Sequence, residues 1–105
     1  MERIAAIGPE NLILGLKAFD IDTFFTNSGE EASVYIKEIK SGAKHGIILI
    51  IKDVADKISK DEYKKLQADH LPAILTIPGL KFKDEEYLLK LKKLAEKAIG
   101  SDILK

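Results

Sequence analysis

The unbroken apolar run Gly46-Ile47-Ile48-Leu49-Ile50-Ile51 limits how this chain can fold more than any other segment. In a β-strand, the aliphatic side chains of residues 47–51 would point alternately to two faces, so both faces would need a cover that excludes water. Strands that are apolar on both faces lie at the centre of parallel sheets, which carry helices on each side. The run therefore predicts an α/β protein with this segment as a central strand.

Further segments have the composition of β-strands and alternate with helical patterns. Residues 4–7 are apolar and stop at Gly8-Pro9. The mixed polarity of residues 21–25 suits a sheet edge, and so do the prolines near both ends of residues 71–79. Right-handed crossovers with the two wholly apolar strands in the middle give the spatial order 2-1-3-4. The predicted fold class is a small doubly wound α/β sheet of four parallel strands.

Capping signals predict where two of the helices begin. Ser28 precedes Glu31 by the three-residue spacing of a capping box, and an amphipathic pattern follows as far as Ser41-Gly42. Ser59 and Glu62 repeat this spacing, so we expect two short helices between the third and fourth strands. The other predicted helices span residues 10–18, where Gly15 is unfavourable, and residues 84–99, which Gly100 ends.

The composition argues against several kinds of partner and chemistry. Lys plus Arg number 17 and Asp plus Glu number 17, so the net charge is zero and no nucleic-acid partner is expected. The chain has no cysteine, which excludes a disulfide framework, a thiolate nucleophile and a cysteine-based metal site. His45 and His70 have no partner at metal-ligand spacing, so we expect two ordinary surface residues and no metal.

The length of the chain indicates the number of domains, and its hydropathy indicates the cellular location. The 105 residues are expected to form a single domain. No apolar run approaches the roughly 18–20 residues of a membrane span, and the segment Met1-Glu2-Arg3-Ile4 does not have the pattern of a signal peptide. We therefore expect a cytoplasmic protein without membrane insertion.

The crevice of the predicted sheet is the first place to look for a ligand site. Doubly wound sheets bind ligands at the carboxyl ends of the strands, where the strand order reverses. Here that point lies between residues 8–11 and Lys52-Asp53. Residues 8–15 do not have the glycine spacing of a phosphate loop, Pro9 has no backbone N–H, and Glu10 would repel a phosphate. No nucleotide or other cofactor is predicted to bind there.

Asp53 has two interpretations. It follows the third strand, where response-regulator receivers carry a phospho-accepting aspartate, but those domains also need an acidic pair after the first strand to hold magnesium. This chain offers Glu10 alone and no fifth strand, so we favour Asp53 as the N-cap of a helix. A degenerate receiver-like signalling or binding domain remains the alternative function. No serine has a histidine at a suggestive spacing, and no catalytic residue is predicted.

The last predicted helix has one broad apolar face and one charged face. The apolar face consists of Tyr87, Leu88, Leu91, Leu94, Ala95, Ala98 and Ile99, and the opposite face of Lys90, Lys92, Lys93, Glu96 and Lys97. Such a face can belong to a core helix that covers the sheet, or it can dock on helices of another protein. The pattern leaves both open. We divide the chain into an α/β core of residues 1–79 and a loop with a C-terminal helix in residues 80–105.

Four segments carry a resemblance to a known family. They are Ile4-Ala5-Ala6-Ile7-Gly8 followed by Leu14-Gly15-Leu16, then Gly46-Ile47-Ile48-Leu49-Ile50, then Leu71-Pro72-Ala73-Ile74-Leu75-Thr76-Ile77-Pro78-Gly79, and finally Ala98-Ile99-Gly100-Ser101-Asp102-Ile103-Leu104. In this order they resemble segments of the F subunit of the V-type and archaeal A-type ATPases, over nearly the whole chain. That family usually has an aspartate directly after the first Gly; here Pro9 takes that position, so no role is transferred to this loop.

The resemblance implies a non-catalytic rotor subunit of the central stalk with a Rossmann-like or receiver-like globular part. It implies binding to the D subunit, the coiled-coil shaft of the stalk, which links the catalytic A/B headpiece to the membrane-embedded rotor ring. The C-terminal helix would lie against the globular part or extend along the shaft toward the headpiece, and would thereby modulate ATP hydrolysis. The protein would be cytoplasmic and peripheral on the membrane through the complex. The residues expected at the partner interface are Leu88, Leu91, Leu94, Ile99 and Ile103.

Overall fold

A four-stranded parallel sheet organises the chain. The structure, a computed structural model, describes residues 3–68, 71–79 and Lys93. The strands of this part are β1 (Arg3–Gly8), β2 (Asp22–Phe25), β3 (His45–Ile51) and β4 (Ala73–Ile77), in the order β2-β1-β3-β4 that the sequence predicted. Its helices are α1 (Glu10–Ile13), a 3₁₀ helix (Leu14–Phe19), α2 (Gly29–Gly42), α3 (Lys52–Ala55) and α4 (Lys60–Gln67).

β3 is the central strand that its apolar composition predicted. It pairs in parallel with β1 on one side and with β4 on the other, so that Leu49 lies opposite Ala6 and Leu75. Alternate side chains of β3 enter two different hydrophobic clusters, which lie on opposite faces of the sheet. The fully buried members are Ile48 and Ile50 on the first face and Leu49 and Ile51 on the second.

Different helices cover the two faces. On the first face, α2, α3 and α4 pack against the sheet through Ala32, Ile36, Ile39, Val54, Ala55 and Leu66. On the second face, the helical side chains come from α1 and the 3₁₀ helix, and they are Leu12, Ile13, Leu16 and Phe19. None of the residues of α2, α3 or α4 belongs to this second cluster. The chain is therefore doubly wound, as predicted.

Both predicted capping signals are present. The Ser28 hydroxyl accepts a hydrogen bond from the Glu31 N–H at 3.2 Å, and the Ser59 hydroxyl accepts one from the Glu62 N–H at the same distance. Each bond satisfies one of the amides that a helix leaves unpaired at its first turn. The Glu62 carboxylate does not complete the capping box, because it accepts a hydrogen bond from Ser33 of α2 instead.

The helix predicted over residues 10–18 is divided into two parts. α1 ends at Ile13, whose backbone (φ −116°, ψ −4°) departs from regular helix geometry, and a 3₁₀ helix follows. The apolar residues Ile13, Leu16 and Phe19 recur every third residue, which is the period of a 3₁₀ helix, and all three belong to the second cluster. Burial of this three-residue repeat, together with Gly15, explains why the α-helix does not continue.

Asp53 is not the N-cap of α3, so this prediction was wrong. Ile51, the last residue of β3, is the N-cap, and it makes no side-chain hydrogen bond to the helix. The chain passes from strand to helix with no intervening loop, so Asp53 already lies inside the first turn. A negative charge at that position still favours the helix through its dipole.

The amino edge of the sheet holds a charge cluster made by Arg3, Asp22 and His45. The Arg3 guanidinium donates two hydrogen bonds to the Asp22 carboxylate, at 2.8 and 2.7 Å. His45 Nε2 lies 2.7 Å from Asp22 Oδ2, and since a carboxylate only accepts, Nε2 carries the proton of this bond. The expectation that His45 is a surface residue was wrong, because β3 begins at His45 and leaves its side chain only 9% exposed. The cluster joins the first residues of three neighbouring strands.

Stability should fall in acid because of Asp22. The hydrogen bonds from Arg3, supported by the one from His45, hold the pKa of Asp22 well below its usual range. A carboxylate with a lowered folded-state pKa contributes its stability above its unfolded pKa of about 3.9 and loses it as the pH falls further. We expect the free energy of unfolding to drop by about 1 kcal/mol between about pH 6 and pH 3, a modest figure because the Asp22 side chain is 36% exposed. The Asp22→Asn variant should be less stable than the wild type at neutral pH, and its free energy of unfolding, measured with urea, should fall less between about pH 6 and pH 3. An equal fall in both proteins would contradict this role of Asp22.

Candidate functional site

The crevice between the carboxyl ends of β1 and β3 is filled by aliphatic side chains. A Cβ atom on Gly8 would collide with Cγ1 of Ile51 and would lie 3.5 Å from Cγ2 of Ile13. The end of β1 therefore lies directly against the last side chain of β3. A phosphate or nucleotide would need open space and free backbone donors at this point.

Two backbone amides shortly after β1 donate hydrogen bonds within the chain. The N–H groups of Leu12 and Ile13 both donate to the Pro9 carbonyl, at 3.0 and 3.2 Å, and Pro9 itself has no N–H. These two amides are therefore not available to a ligand. This local arrangement agrees with the sequence argument against a phosphate loop.

Lys52 and Asp53 lie on the other side of the crevice, and their opposite charges attract each other. Lys52 Nζ lies 2.7 Å from Asp56 Oδ2, an i,i+4 pair along the chain, and Asp56 raises the pKa of Lys52. Asp53 is exposed, and a Cβ atom on Gly79 would lie 2.9 Å from its Oδ2 atom. Among residues 3–68, 71–79 and 93, no three His, Asp or Glu side chains stand close enough together to hold a metal ion.

A polar groove lies between α2 and α4 and was not predicted. It has a volume of about 400 Å³, and its lining includes Gly29, Ser33, Lys37, Lys57 and Glu62. Ser33 donates to Glu62 at 2.7 Å and Lys37 lies 3.0 Å from the same oxygen, and together they lower the pKa of Glu62. These contacts join the two helices over the first face. The only sequence signal for Glu62 was its capping-box spacing, which pointed to Ser59 rather than to α2.

The β3–β4 half of the second face lies farthest from the helices that connect β1 to β2. Neighbouring strands are about 4.8 Å apart, so β4 lies about 10 Å from β1, and a helix with its side chains is about 10 Å wide. α1 and the 3₁₀ helix, which connect β1 to β2, are too narrow to cover all four strands. Yet Leu49, Ile51 and Ile77 on this half are at most 1% exposed.

The predicted interface residues fall outside the part of the chain that the structure describes. This holds for Leu88, Leu91, Leu94, Ile99 and Ile103, for the other residues of the predicted helix except Lys93, and for His70. Lys93 has a helical backbone and is exposed, which agrees with its predicted place on the charged face. The division into residues 1–79 and 80–105 stays a prediction.

Comparisons with known proteins give consistent results. The family model described as ATP synthase (F/14-kDa) subunit matches residues 4–95. The F subunit of the V-type ATP synthase of Fusobacterium nucleatum is 33% identical over 104 residues, which are 99% of this chain and 97% of that protein. The corresponding F subunit from Clostridium botulinum strain Eklund 17B is 24% identical over 103 residues, 98% of each chain. The crystal structure of the V-type ATP synthase F subunit from Archaeoglobus fulgidus is similar in fold, with a TM-score of 0.62 at 14% identity over 72% of this chain and 96% of that one.

Proposed function

This chain belongs to the ATP synthase (F/14-kDa) subunit family, and we propose that it is a non-catalytic rotor subunit in the central stalk of a V-type ATP synthase. The observation that carries the proposal is the likeness to the F subunit of a V-type ATP synthase over almost the full length of both chains. In this proposal the chain binds the D subunit, which forms the shaft, and turns with it. It couples the A/B headpiece to the ion-translocating ring and modulates ATP hydrolysis or synthesis.

The carboxyl edge of the sheet supports a role without chemistry of its own. Ile51 fills the space beside Gly8, and the amides of Leu12 and Ile13 bind the Pro9 carbonyl rather than a ligand. A protein that transmits rotation needs contact area rather than reactive groups. An interface of ordinary size buries about 800 Å² on each partner, which one helix and one sheet edge can supply.

We further propose that the C-terminal segment, residues 80–105, covers the β3–β4 half of the second face when it is docked. Its predicted apolar face, which contains Leu88, Leu91 and Leu94, matches the apolar character of Leu49 and Ile77. A doubly wound sheet also needs a second helix on this face, and residues 80–105 follow β4 directly in the chain. The same apolar face would contact a partner protein when the segment is extended, so the two positions would differ by only a few kcal/mol.

The proposed cellular location follows from the proposed membership of a V-type ATP synthase complex. The protein would lie at the cytoplasmic side of the membrane and be held there through its partner proteins. Within the described part of the chain, no helix has the length and hydrophobicity that crossing a bilayer requires. The proposal involves no metal, no cofactor and no nucleic acid.

Co-purification with the recombinant shaft protein, the D subunit, tests the proposal. Single cysteines introduced as Lys93→Cys, on the C-terminal segment, and Thr76→Cys, at an exposed position of the edge strand β4, would carry a crosslinker. We expect the chain to co-purify with the shaft protein and to crosslink to it from at least one of these positions. A chain that elutes separately from the shaft protein would refute the proposal.

The receiver-like alternative predicts a response that the rotor proposal does not. Acetyl phosphate with Mg²⁺ should leave the NMR spectrum around Asp53 unchanged, because a lone carboxylate binds magnesium poorly and the described residues form no acidic cluster beside it. The matched control is Asp53→Asn, whose spectrum should be equally insensitive. Shifts in the wild-type protein that disappear in Asp53→Asn would favour the receiver interpretation instead.

A further inference from the structure

β2 is an edge strand, and its pairing with β1 fixes which of its backbone groups point away from the sheet. The Thr26 N–H donates to the Gly8 carbonyl at 2.9 Å, and the two strands keep one parallel register over their whole pairing. In a parallel pair, the residues of a strand direct their backbone groups alternately to its two sides. Counted back from Thr26, every second N–H of β2 therefore faces β1, and the N–H groups of Thr23 and Phe25 face outward.

Four outward groups at this edge have no hydrogen-bond partner within residues 3–68 and 71–79. The N–H and C=O of one peptide unit point in opposite directions, so the carbonyls of Ile21, Thr23 and Phe25 also face outward. The Phe25 carbonyl accepts a hydrogen bond from the Tyr35 hydroxyl at 3.4 Å. The Ile21 N–H donates to the Leu16 carbonyl, also at 3.4 Å. The four groups that remain are the Thr23 N–H, the Thr23 carbonyl, the Phe25 N–H and the Ile21 carbonyl.

These four groups match an antiparallel pairing of β2 with the β2 strand of a second copy of the chain. A two-fold axis beside Thr23 places this residue opposite its counterpart, and the two residues exchange both N–H···O bonds. Two positions further along, Ile21 of one copy lies opposite Phe25 of the other. Such a pair would exchange two bonds, but the Ile21 N–H and the Phe25 carbonyl are already used within each chain. The other bond, from the Phe25 N–H to the Ile21 carbonyl, uses the two groups that are left, so every unpaired group gains a partner.

The space and the charges along this edge also suit a second copy. A groove of about 510 Å³ lies beside β2, and its lining includes Lys17, Asp20 and Thr23. Lys17 Nζ lies 5.3 Å from the centre of the Phe25 ring, at the carboxyl end of β2, and Asp20 precedes the amino end. The Asp20 side chain is 88% exposed, and its Oδ1 lies 3.5 Å from Arg3. Antiparallel pairing brings opposite ends of the two strands together, so Lys17 of each copy lies near Asp20 of the other.

The Thr23 hydroxyl supports the same arrangement. Its oxygen is buried and has no hydrogen-bond partner in the part of the chain that the structure describes. In the two-fold pairing, the two Thr23 side chains lie on the same face with Cβ atoms about 4.5–5.5 Å apart, a distance at which cross-strand threonines form hydrogen bonds. Pairing with a second copy thus gives this hydroxyl a partner.

We propose that the isolated chain forms a two-fold dimer in which the outer edges of two β2 strands pair in antiparallel orientation about Thr23. The two four-stranded sheets then join into one continuous sheet. Because β2 is only four residues long, the interface is small and the dimer is weak and concentration-dependent. β2 is the edge opposite β4, and this self-association goes beyond the rotor proposal and does not rest on it.

Thr23→Pro tests the backbone pairing. Proline has no N–H and its ring occupies the outer edge, whereas the hydrogen bonds from β2 to β1 do not use the amide of residue 23. Thr23→Val is the matched control, because it keeps the amide and removes only the hydroxyl. Sedimentation equilibrium of the isolated full chain at increasing concentration measures the dimer. We expect dimers of the wild type, dimers weakened by less than about fivefold in Thr23→Val, and monomers of Thr23→Pro.

Lys17→Glu tests the same contact without altering the strand, since the Lys17 side chain is exposed. It places two carboxylates together in the proposed dimer. We expect the dissociation constant of the dimer to rise by about fivefold at low salt and by less at high salt. Lys64→Glu, at an exposed position of α4, makes the same change in net charge and should leave the dissociation constant nearly unchanged.

The outcomes separate this inference from the rotor proposal. A wild-type chain that stays monomeric at every concentration would overturn the dimer. A folded Thr23→Pro chain that dimerises like the wild type, or equal effects of Lys17→Glu and Lys64→Glu, would overturn the contact through β2. If the wild type is monomeric and Thr23→Pro loses the shaft protein, the edge pairs with a partner strand and not with a second copy. Co-purification of the wild type with the shaft protein decides the rotor proposal on its own.

Discussion

Gly29→Ala is expected to lower the free energy of unfolding by about 2–3 kcal/mol, within the usual range for overpacked interiors. Gly29 is the first residue of α2 and is buried. A Cβ atom there would overlap the carbonyl oxygen of Lys57 and would lie 2.5 Å from its carbonyl carbon and 2.9 Å from the nitrogen of Ile58. These are backbone atoms of the connection between α3 and α4, which cannot turn aside as a side chain can. Urea unfolding of variant and wild type measures the loss.

Gly42→Ala is the control for this prediction at the other end of the same helix. A Cβ atom there has open space, and its φ is not positive, so alanine is acceptable. Because alanine has the higher helix propensity, the variant should be neutral or more stable by up to about 1 kcal/mol. If the Gly29→Ala variant proved as stable as the Gly42→Ala variant, the claim that α2 packs closely against residues 57–58 would be contradicted.

Leu91→Glu is expected to weaken binding to the shaft protein, the D subunit, by about tenfold to hundredfold. Leu91 lies in the middle of the predicted apolar face of the C-terminal segment, and the loss of one central apolar anchor in an interface typically costs about 1.4–2.7 kcal/mol. The carboxylate would be desolvated in the docked state as well, so Leu91→Glu disfavours both positions of the segment, and the loss of affinity is the difference between the two penalties. Titration of the shaft protein with the variant chain measures the change.

Lys93→Glu is the matched control for Leu91→Glu. The structure places Lys93 in helical conformation with an exposed side chain, on the face predicted to be charged. Its substitution changes the net charge by more than Leu91→Glu does, so a general charge effect would appear more strongly in the control. Equal affinities of the two variants for the shaft protein would contradict the proposed interface.

The fold could be predicted because its strongest signals are local. The apolar run ending at Ile51 is typical of a central strand, and right-handed crossovers with the two wholly apolar strands in the middle give the strand order. Ser28 and Ser59 mark helix starts because a hydroxyl and an amide three residues later meet without help from the rest of the chain. Each of these features depends on few residues that are close in sequence.

The errors arose where distant residues or exact strand ends decide the outcome. Asp53 is an acceptable cap by composition, but α3 begins at Lys52, directly after β3, so Ile51 takes the N-cap position. From the sequence, His45 is expected in the loop before β3. In the structure, β3 begins one residue earlier than predicted, at His45, and brings its side chain to Asp22, which is 23 positions away in the sequence. The contact between Ser33 and Glu62 spans 29 positions, and no spacing rule links such residues.

The candidate site was predictable only in part. Residues 8–15 could be read as unsuitable for phosphate because a phosphate loop has a defined local pattern. The proximity of Gly79 to Asp53 depends on the parallel pairing of β3 with β4, which brings their carboxyl ends together. The apolar face of the C-terminal segment could pack against the sheet or against a partner protein. Both would require the same amphipathic periodicity, so the sequence pattern does not distinguish them.

The central claim is that this chain works through contact with a rotor shaft and performs no chemistry of its own. Calorimetric titration tests it most directly, with the recombinant shaft protein in one experiment and Mg²⁺-ATP in the other. The account predicts saturable binding of one chain to one shaft protein and no heat of binding with the nucleotide. Binding of the nucleotide together with no binding of the shaft protein would contradict it.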